Sequence, residues 1–410
     1  MAKIITNPKD YTGKELEEIF FRPALTGAGA AELGVKVMYN MPVPTKLNFW
    51  SRAISVLKVY AKGWTGGTSA DQYQKTITLN KVKAELGIAA EDYFGMIYEL
   101  ITNTPNINLD DIQGTNIEKA ETKLFRDAIQ EDIRAHMWIG KIGRANGKFA
   151  TFNGFLTKII ADSISSAGEE TNIITLPSMS VADAAEGLFK SMYRNSGELM
   201  QQFKSLLTFY VTADILNNYE DTLSSANLES SRTAMINGVR EYFYNGIPIK
   251  PINIQTYLPD CLDMPQSFCL LSVRDNLALA VNTNTFPGME ARMWYNPDEM
   301  ENRQRAIFMA GCDYLLPELI KVAVTVAVPA TPTIKVAAAN TTVTIQWTAS
   351  AQTSIYKVYK DGVYLSTVTT NEAAITGLTA NMEYDFTVSA IIGNAESAQS
   401  IALTVTTTNV

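Results

Sequence analysis

At Val324 the chain changes character, and that change bounds what it can fold into. From there to Val410 the residues are rich in Thr, Ala and Val, poor in charge and free of arginine. Short alternating segments recur at Thr342–Thr348, Ile355–Lys360, Val363–Val368, Glu372–Thr376, Met382–Ile391 and Ser400–Thr407. Strands at such short, regular intervals predict a β-sandwich. The residues before Val324 mix helical and strand periodicities. The chain therefore reads as an α+β body, a linker near Val326–Thr331, and an all-β tail.

The 410 residues are 46% hydrophobic and 19% charged, which predicts packed cores and enough chain for two or three of them. A formal net charge of -8 argues against broad non-specific nucleic-acid binding and leaves a local basic face open. The N-terminus has no apolar run of signal-peptide length, and no window resembles a membrane span. Cys261, Cys269 and Cys312 show no CxxC spacing, so reduced, partly buried thiols are expected. His136 is the sole imidazole, which excludes a multi-histidine metal site within one chain and any catalytic triad built without it. Its place late in a helix, in IRAHMWIG, predicts a helix-end or packing role. No catalytic, cofactor or metal residue is assigned.

The stretch Phe203–Pro259 holds the strongest buried pattern of the body. Leu206–Val211 is an apolar, β-prone run, and Thr212 and Asp214 follow as helix N-cap candidates. A second, polar helix is expected to end at Asn245-Gly246, with Ile247-Pro248-Ile249 restarting extended chain. Asp214, Glu220 and Asp221 are the best candidates for paired functional carboxylates, although their helix positions suit capping and solvation.

Upstream, residues 1–45 read as an arm, helical from Lys14 to Phe21 and broken by Gly27, Gly29, Gly34, Pro42 and Pro44. Residues 54–62 and 73–82 alternate about the tip Gly63-Trp64-Thr65-Gly66-Gly67-Thr68-Ser69, which predicts a long β-hairpin in need of a partner surface. The tip lacks GxxxxGK[ST] and is no phosphate loop. Residues 83–104 are expected to be helical, with Leu86, Ile88, Tyr93, Phe94, Ile97 and Leu100 inward. Residues 115–140 carry a capping box, Thr115-Asn116-Ile117-Glu118, and a stripe of Leu124, Phe125, Ala128, Ile129, Ile133 and Met137. Gly140 ends this helix of roughly 35 Å, and Glu121, Asp127, Glu131 and Asp132 form its solvated face. Downstream, strands are expected at Phe149–Phe155, Ile173–Leu176, Ser267–Ser272 and Met289–Trp294. Helices are expected at Ser180–Arg194, capped by Ser180, and at Asp275–Val281. Glu301–Leu316 is a strand-like run closed by PELIKVAV.

With Trp347 in VTIQW, YKVYKDG at Tyr356–Gly362 and Tyr384 in GLTANMEYDFTVSA, segment 328–410 resembles a fibronectin type III, immunoglobulin-like domain. The resemblance implies a sandwich core holding Trp347, Leu378 and Tyr384, with the tyrosine hydroxyl bonded to upstream backbone. Such domains mostly bind or space, and no RGD-type tripeptide is present.

Residues 1–326 resemble, in their order of elements, the major capsid protein of tailed bacteriophages, the Hong Kong 97-like fold. An arm (1–50) precedes an extended hairpin loop (51–85) and a spine helix (112–146) running into IGKIGRANGKFATFNGFL. A mainly axial segment (147–290) carries YVTADILNNYEDTL, NGIPIKPI and RDNLALAVN, and 291–326 returns to the peripheral domain. The resemblance implies self-assembly through hexamers and pentamers, with Gly63, Trp64, Gly66 and Gly67 at an inter-subunit hairpin tip and Asn218–Ser231 facing neighbours. It further implies double-stranded DNA on the inner face, a portal, and either a mature chain or a separate scaffold protein, because the arm begins near Met1. Localisation would be the virion, assembled in the bacterial host cytoplasm without a membrane, and the terminal domain could meet host-surface or mucosal glycans. Some relatives cross-link a hairpin lysine; Lys58, Lys62 and Lys75 lie on this hairpin, and none is singled out. Two other readings stand beside it: an encapsulin-type compartment around cargo protein, and a glycan-active surface enzyme with a fibronectin spacer.

Overall fold

The computed structural model describes residues 9–12, 33–40, 45–50, 60, 62–63, 72–89, 116–165, 172–226, 232–236, 239–283, 290–296, 298, 301–336 and 341–408. The expected arm helix Lys14–Phe21, the hairpin segment 54–59 and the hairpin tip beyond Gly63 lie outside them. The chain divides into two compact units. The first holds 1–143, 149–154 and 277–315, and the second holds 144–148, 155–276 and 316–410. The segment expected as axial (147–290) therefore changes unit at 148/149, 154/155 and 276/277, and the returning segment (291–326) at 315/316.

The first unit is built on β14 (Glu301–Tyr314), long enough to serve several partners. Its early part pairs antiparallel with β13 (Glu290–Asn296) and its late part with β12 (Leu277–Asn282). β5 (Asn80–Ala89) runs antiparallel along Glu301–Ala310. β1 (Lys9–Thr12) adds to β13, and β2 (Lys36–Tyr39) adds parallel to β12. Separately, β3 (Thr45–Trp50) and β4 (Gln72–Ile77) form a two-stranded ribbon. Helix α1 (Asn116–Ile139) is the expected spine, with Phe125, Ile129, Ile133 and Met137 buried. Leu124 and Ala128, expected in the same stripe, are exposed.

Two expectations fail in this unit. Residues 83–89 are strand, because Val82, Ala84, Leu86 and Ile88 alternate with Lys81, Lys83, Glu85 and Gly87 and β14 offers ten register positions. The run from Leu277 is strand β12 instead of the helix Asp275–Val281. All six of its residues are buried, flanked by β14 and β2, and Asp275 turns the chain at φ 65°. A short apolar run buried on both faces carries no period to separate strand from helix.

The second unit contains a seven-stranded sheet among the described residues, ordered β6-β15-β11-β7-β10-β9-β8. These are β6 (Ile173–Thr175), β15 (Ile320–Val324), β11 (Phe268–Val273), β7 (Leu207–Val211), β10 (Ile247–Pro251), β9 (Val239–Tyr244) and β8 (Thr233–Ile236). The PELIKVAV segment thus lies between β6 and β11, in this unit and not in the first. β7 is buried at every position. Its Phe209 packs with Phe189 of α3 (Ala184–Arg194), whose ring also meets Tyr219 of α5 (Ala213–Ser225) and Tyr244 of β9 at 5.3 and 5.8 Å. Fully buried, Phe189 and Phe209 each contribute about 1.5–3 kcal/mol to the unit's core. Helices α2 (Phe155–Ser165) and α4 (Glu198–Gln202) complete the described α-helices of the body.

The second helix expected before Asn245 is instead the pair β8–β9. Asn245 and Gly246 both have positive φ, 50° and 81°, in the two-residue loop joining β9 to β10. Such a loop closes a hairpin tightly, so Asn-Gly marks a strand turn and not a helix end. Helix α3 starts at Ala184, with Asp183 at φ 58°, and Ser180 does not cap it. Its N-terminal amide on Ala185 is met instead by Asn218 Oδ1 from α5 at 2.9 Å. Phe149–Phe155 forms bends and the start of α2 because two glycines, described below, fold the chain back on α1.

The C-terminal sandwich sets β16 (Thr333–Val336), β17 (Val343–Gln346) and β20 (Glu372–Ile375) against β19 (Val363–Val368), β18 (Ile355–Lys360), β21 (Glu383–Ile392), β22 (Ala395–Glu396) and β23 (Leu403–Thr406). Trp347, Leu378 and Tyr384 are buried in its core.

Candidate functional site

The ribbon β3–β4 is anchored at its base. Lys75 Nζ lies 3.1 Å from Asp313 Oδ1 and 3.4 Å from the centre of the Tyr314 ring, and Asp313 is buried. Ile77, at the end of β4, is fully buried. Among the described residues no third strand joins the ribbon. A two-stranded ribbon is only marginally stable by itself, so its outer part needs a covering surface. Gly63 is exposed with φ 96°, whereas Trp64, Gly66 and Gly67 lie outside the described residues. Of the hairpin lysines, Lys75 is engaged with Asp313, Lys62 is exposed, and Lys58 lies outside the described residues.

Helix α1 ends in a glycine crossing. Gly140 N donates to His136 O at 2.9 Å, and Gly154 N donates to Gly140 O at 2.8 Å. A Cβ on Gly154 would stand 2.6 Å from His136 O and 2.8 Å from Gly140 N, so only glycine fits. His136 sits at this crossing with Nδ1 2.8 Å from the Asp132 carbonyl, which makes Nδ1 the protonated nitrogen. Phe149 and Phe152 pack on its ring, both at 5.2 Å. This is a packing histidine at a helix end.

In the second unit Arg144 anchors the segment that follows α1. Its Nε donates to Asp263 Oδ1 at 2.9 Å, and Nη1 donates to Lys148 O at 3.1 Å and Cys261 Sγ at 3.0 Å. Lys148 Nζ reaches Asp260 Oδ2 at 2.8 Å, but both of those side chains are exposed. Burial pushes the Cys261 thiol up, against the opposing pull of Arg144, and burial alone raises Cys269 well above its ordinary value. All three cysteines are buried and none forms a disulfide.

The acids Asp214, Glu220 and Asp221 do not converge as a catalytic pair. Asp214 lies in the first turn of α5 and accepts from Ser267 Oγ at 2.5 Å, while Thr212 Oγ1 lies 3.1 Å from the same hydroxyl. Thr212 holds the N-cap position of α5, without a side-chain cap bond. Glu220 sits beside Tyr242, and Asp221 is exposed. Asn218, expected to face neighbouring subunits, is half-buried and ties α5 to the segment leading into α3: it accepts from Ala185 N and donates to Met179 O and Val181 O at 2.9 and 2.8 Å. Residues 227–231 lie outside the described residues.

An open concavity of about 680 Å³ lies at the far edge of this sheet, lined by Arg232, Thr233, Ala234 and the Phe243–Gly246 turn. Its Arg232 is paired with Glu186 at 2.7 Å, and Tyr219 OH donates to Phe243 O at 2.8 Å. Among the described residues no group of three or more His, Cys, Asp or Glu side chains could hold a metal, and no helix is long and apolar enough to cross a membrane.

In the sandwich, Thr379 N donates to Tyr384 OH at 2.9 Å, which closes the loop before β21. Glu396 is a second hub. It accepts from Lys357 Nζ and Ser389 Oγ, both at 2.6 Å, and from Tyr359 OH. Burial alone would raise the Glu396 carboxyl, but these donors outweigh it and hold it below the ordinary glutamate value. Sequence reasoning missed both Arg144 and Glu396. Their partners lie 119 and 39 residues away, so no local spacing marks them.

Residues 327–406 match the family model of the fibronectin type III domain. A curated relative, chitinase Chi52 of Paenibacillus xylanexedens, is 43% identical over 75 residues, which is 17% of this chain and 14% of the chitinase. Among solved structures, one similar chain belongs to the procapsid of satellite phage P4 with its size determination (Sid) protein. It shows 9% identity over 75% of this chain and 98% of that chain, with a TM-score of 0.48. Another belongs to the holo-SrpI encapsulin complex of Synechococcus elongatus PCC 7942, at 8% identity over 70% and 84% of the two chains and a TM-score of 0.40.

Proposed function

We propose that the chain is a self-assembling shell subunit, the major capsid protein of a tailed double-stranded DNA bacteriophage, carrying a fibronectin type III-like domain on its surface. The observation that carries this reading is the isolated ribbon β3–β4, fixed at its base by Lys75 and Asp313 and left without a third strand among the described residues. A copy of the same chain supplies the cover such a ribbon needs, and repetition of that contact around closed symmetry builds a shell. The spine helix with its glycine exit supports the order of elements read in the sequence. Packaged DNA, a portal, a separate scaffold protein and glycans at the terminal domain are the partners this reading implies.

Electron microscopy of the purified protein tests it. Closed shells with radial knobs are the expected result; monomers with hydrolase activity would refute it. Double-stranded DNA within particles from infected cells is expected, and protein cargo in its place would assign the shell to a cellular compartment. On denaturing gels the expected outcome is a single band, and a ladder of covalent multimers would show that a hairpin lysine cross-links.

A further inference from the structure

The C-terminal sandwich buries residues that its own core does not use. Ile392 and Ala395, at the tip of the β21–β22 hairpin, are 1% and 0% exposed. Neither belongs to the sandwich core around Trp347 and Phe386. Both lie where the sandwich meets the body of the second unit: β21 packs on α2, and β22 lies alongside β6. Three polar contacts frame this junction. Glu396 N donates to Thr175 Oγ1 at 3.0 Å. Gln352 Nε2 donates to Met264 O at 3.0 Å, and its Oε1 accepts from Ala327 N in the linker at 2.9 Å. Val326 of the linker packs on the sandwich core.

Among the described residues β6 is the outer strand of the seven-stranded sheet and pairs with β15. An edge strand presents unpaired backbone that invites pairing with other chains, and proteins blunt such edges by covering them. We propose that the sandwich is an intramolecular cap on this edge, seated by Ile392 and Ala395 and pinned by Gln352 and Thr175. It closes β6 to other chains. The same seating fixes the orientation of the sandwich. β22 faces the body, and β19, at the opposite end of the same sheet, faces away with Val363 and Tyr364 exposed at 68% and 54%.

Hydrogen exchange on the full chain tests the cap, and its outcome does not depend on whether shells form. In Ala395→Arg the added side chain has no room at the junction, while the sandwich core is untouched. Exchange at Ile173–Thr175 and at 327–332 is expected to rise at least tenfold, with β17 and β18 still protected. Unchanged exchange at both segments would overturn the proposal. If Ala395→Arg also exposes β17 and β18, the double variant Thr175→Val with Gln352→Ala decides, because it removes only the pins. Faster exchange at β6 and the linker upholds the cap, and wild-type exchange overturns it.

Discussion

Arg144 gives the sharpest test of the energetics. The variant Arg144→Met keeps the aliphatic stem and removes the guanidinium, whose side chain is only 4% exposed. The Asp263 ion pair and the bonds to Lys148 O and Cys261 Sγ go with it. Breaking a buried pair from one side costs about 3–5 kcal/mol, because the partner charge stays behind without its counter-charge in the pair. Asp263 keeps 17% of its side chain exposed, so water screens part of that charge and the lower end, about 3 kcal/mol, is expected. At a factor of ten per 1.4 kcal/mol, that is roughly a hundredfold rise in local opening. Native-state hydrogen exchange at 144–148 and 258–264 reads this opening directly, and it suits a chain of two units that need not unfold together. The double variant Arg144→Met/Asp263→Asn should recover most of the loss, since both charges are then gone. By contrast, the neighbouring pair Lys148–Asp260 is exposed on both sides, and Lys148→Met should cost at most about 1 kcal/mol. A rise below tenfold in the single variant, or no recovery in the double, would refute the reasoning.

Gly154→Ala places a Cβ 2.6 Å from His136 O, so the crossing must open. A loss of about 1–3 kcal/mol is expected in thermal unfolding of the full chain, and wild-type stability would show that the crossing yields freely. Trp347→Ala should cost about 3–5 kcal/mol, confined to the transition that exposes β17 and β18. Exchange that rises equally in both units would contradict an independent sandwich core. Glu396 carries a pH dependence. Its folded value is lowered from the ordinary 4.5, so its contribution is complete above that value and is lost as pH falls through the lower folded one. Acid titration should therefore weaken the sandwich below about pH 4.5, Glu396→Gln should flatten that part of the curve, and identical curves for the two proteins would remove Glu396 as the cause.

What could be read in the sequence is what a local period or an unbroken apolar run determines. Leu207–Val211, the helix ending at Gly140, and the strands Ile355–Lys360 and Val363–Val368 lie where their patterns put them, because neighbours in sequence are also neighbours on one face. Three of the misread elements were read as helix and are strand. The residues of β5, β9 and β12 carry patterns compatible with either period, and strand was chosen by the pairing partner: β14, distant in sequence, for β5 and β12, and β10, the next strand across a tight turn, for β9. The Asn245-Gly246 pair was visible as a stop, yet a helix end and a hairpin turn are distinguished only by what lies across the turn.

The sequence by itself determined the two-part plan: a mixed α/β body and a Thr- and Val-rich sandwich, each with its own apolar residues. It also limited the chemistry, through a single histidine and three scattered cysteines. Tertiary structure alone decided where the charges and junctions sit. Arg144 meets Asp263, Lys75 meets Asp313, Glu396 gathers Lys357, Tyr359 and Ser389, and Ala395 is buried beside β6. The reason is physical. Hydrophobic pattern is a local quantity set by alternation along the chain, whereas a paired charge or a filled junction depends on which distant segment folding brings within a few ångströms.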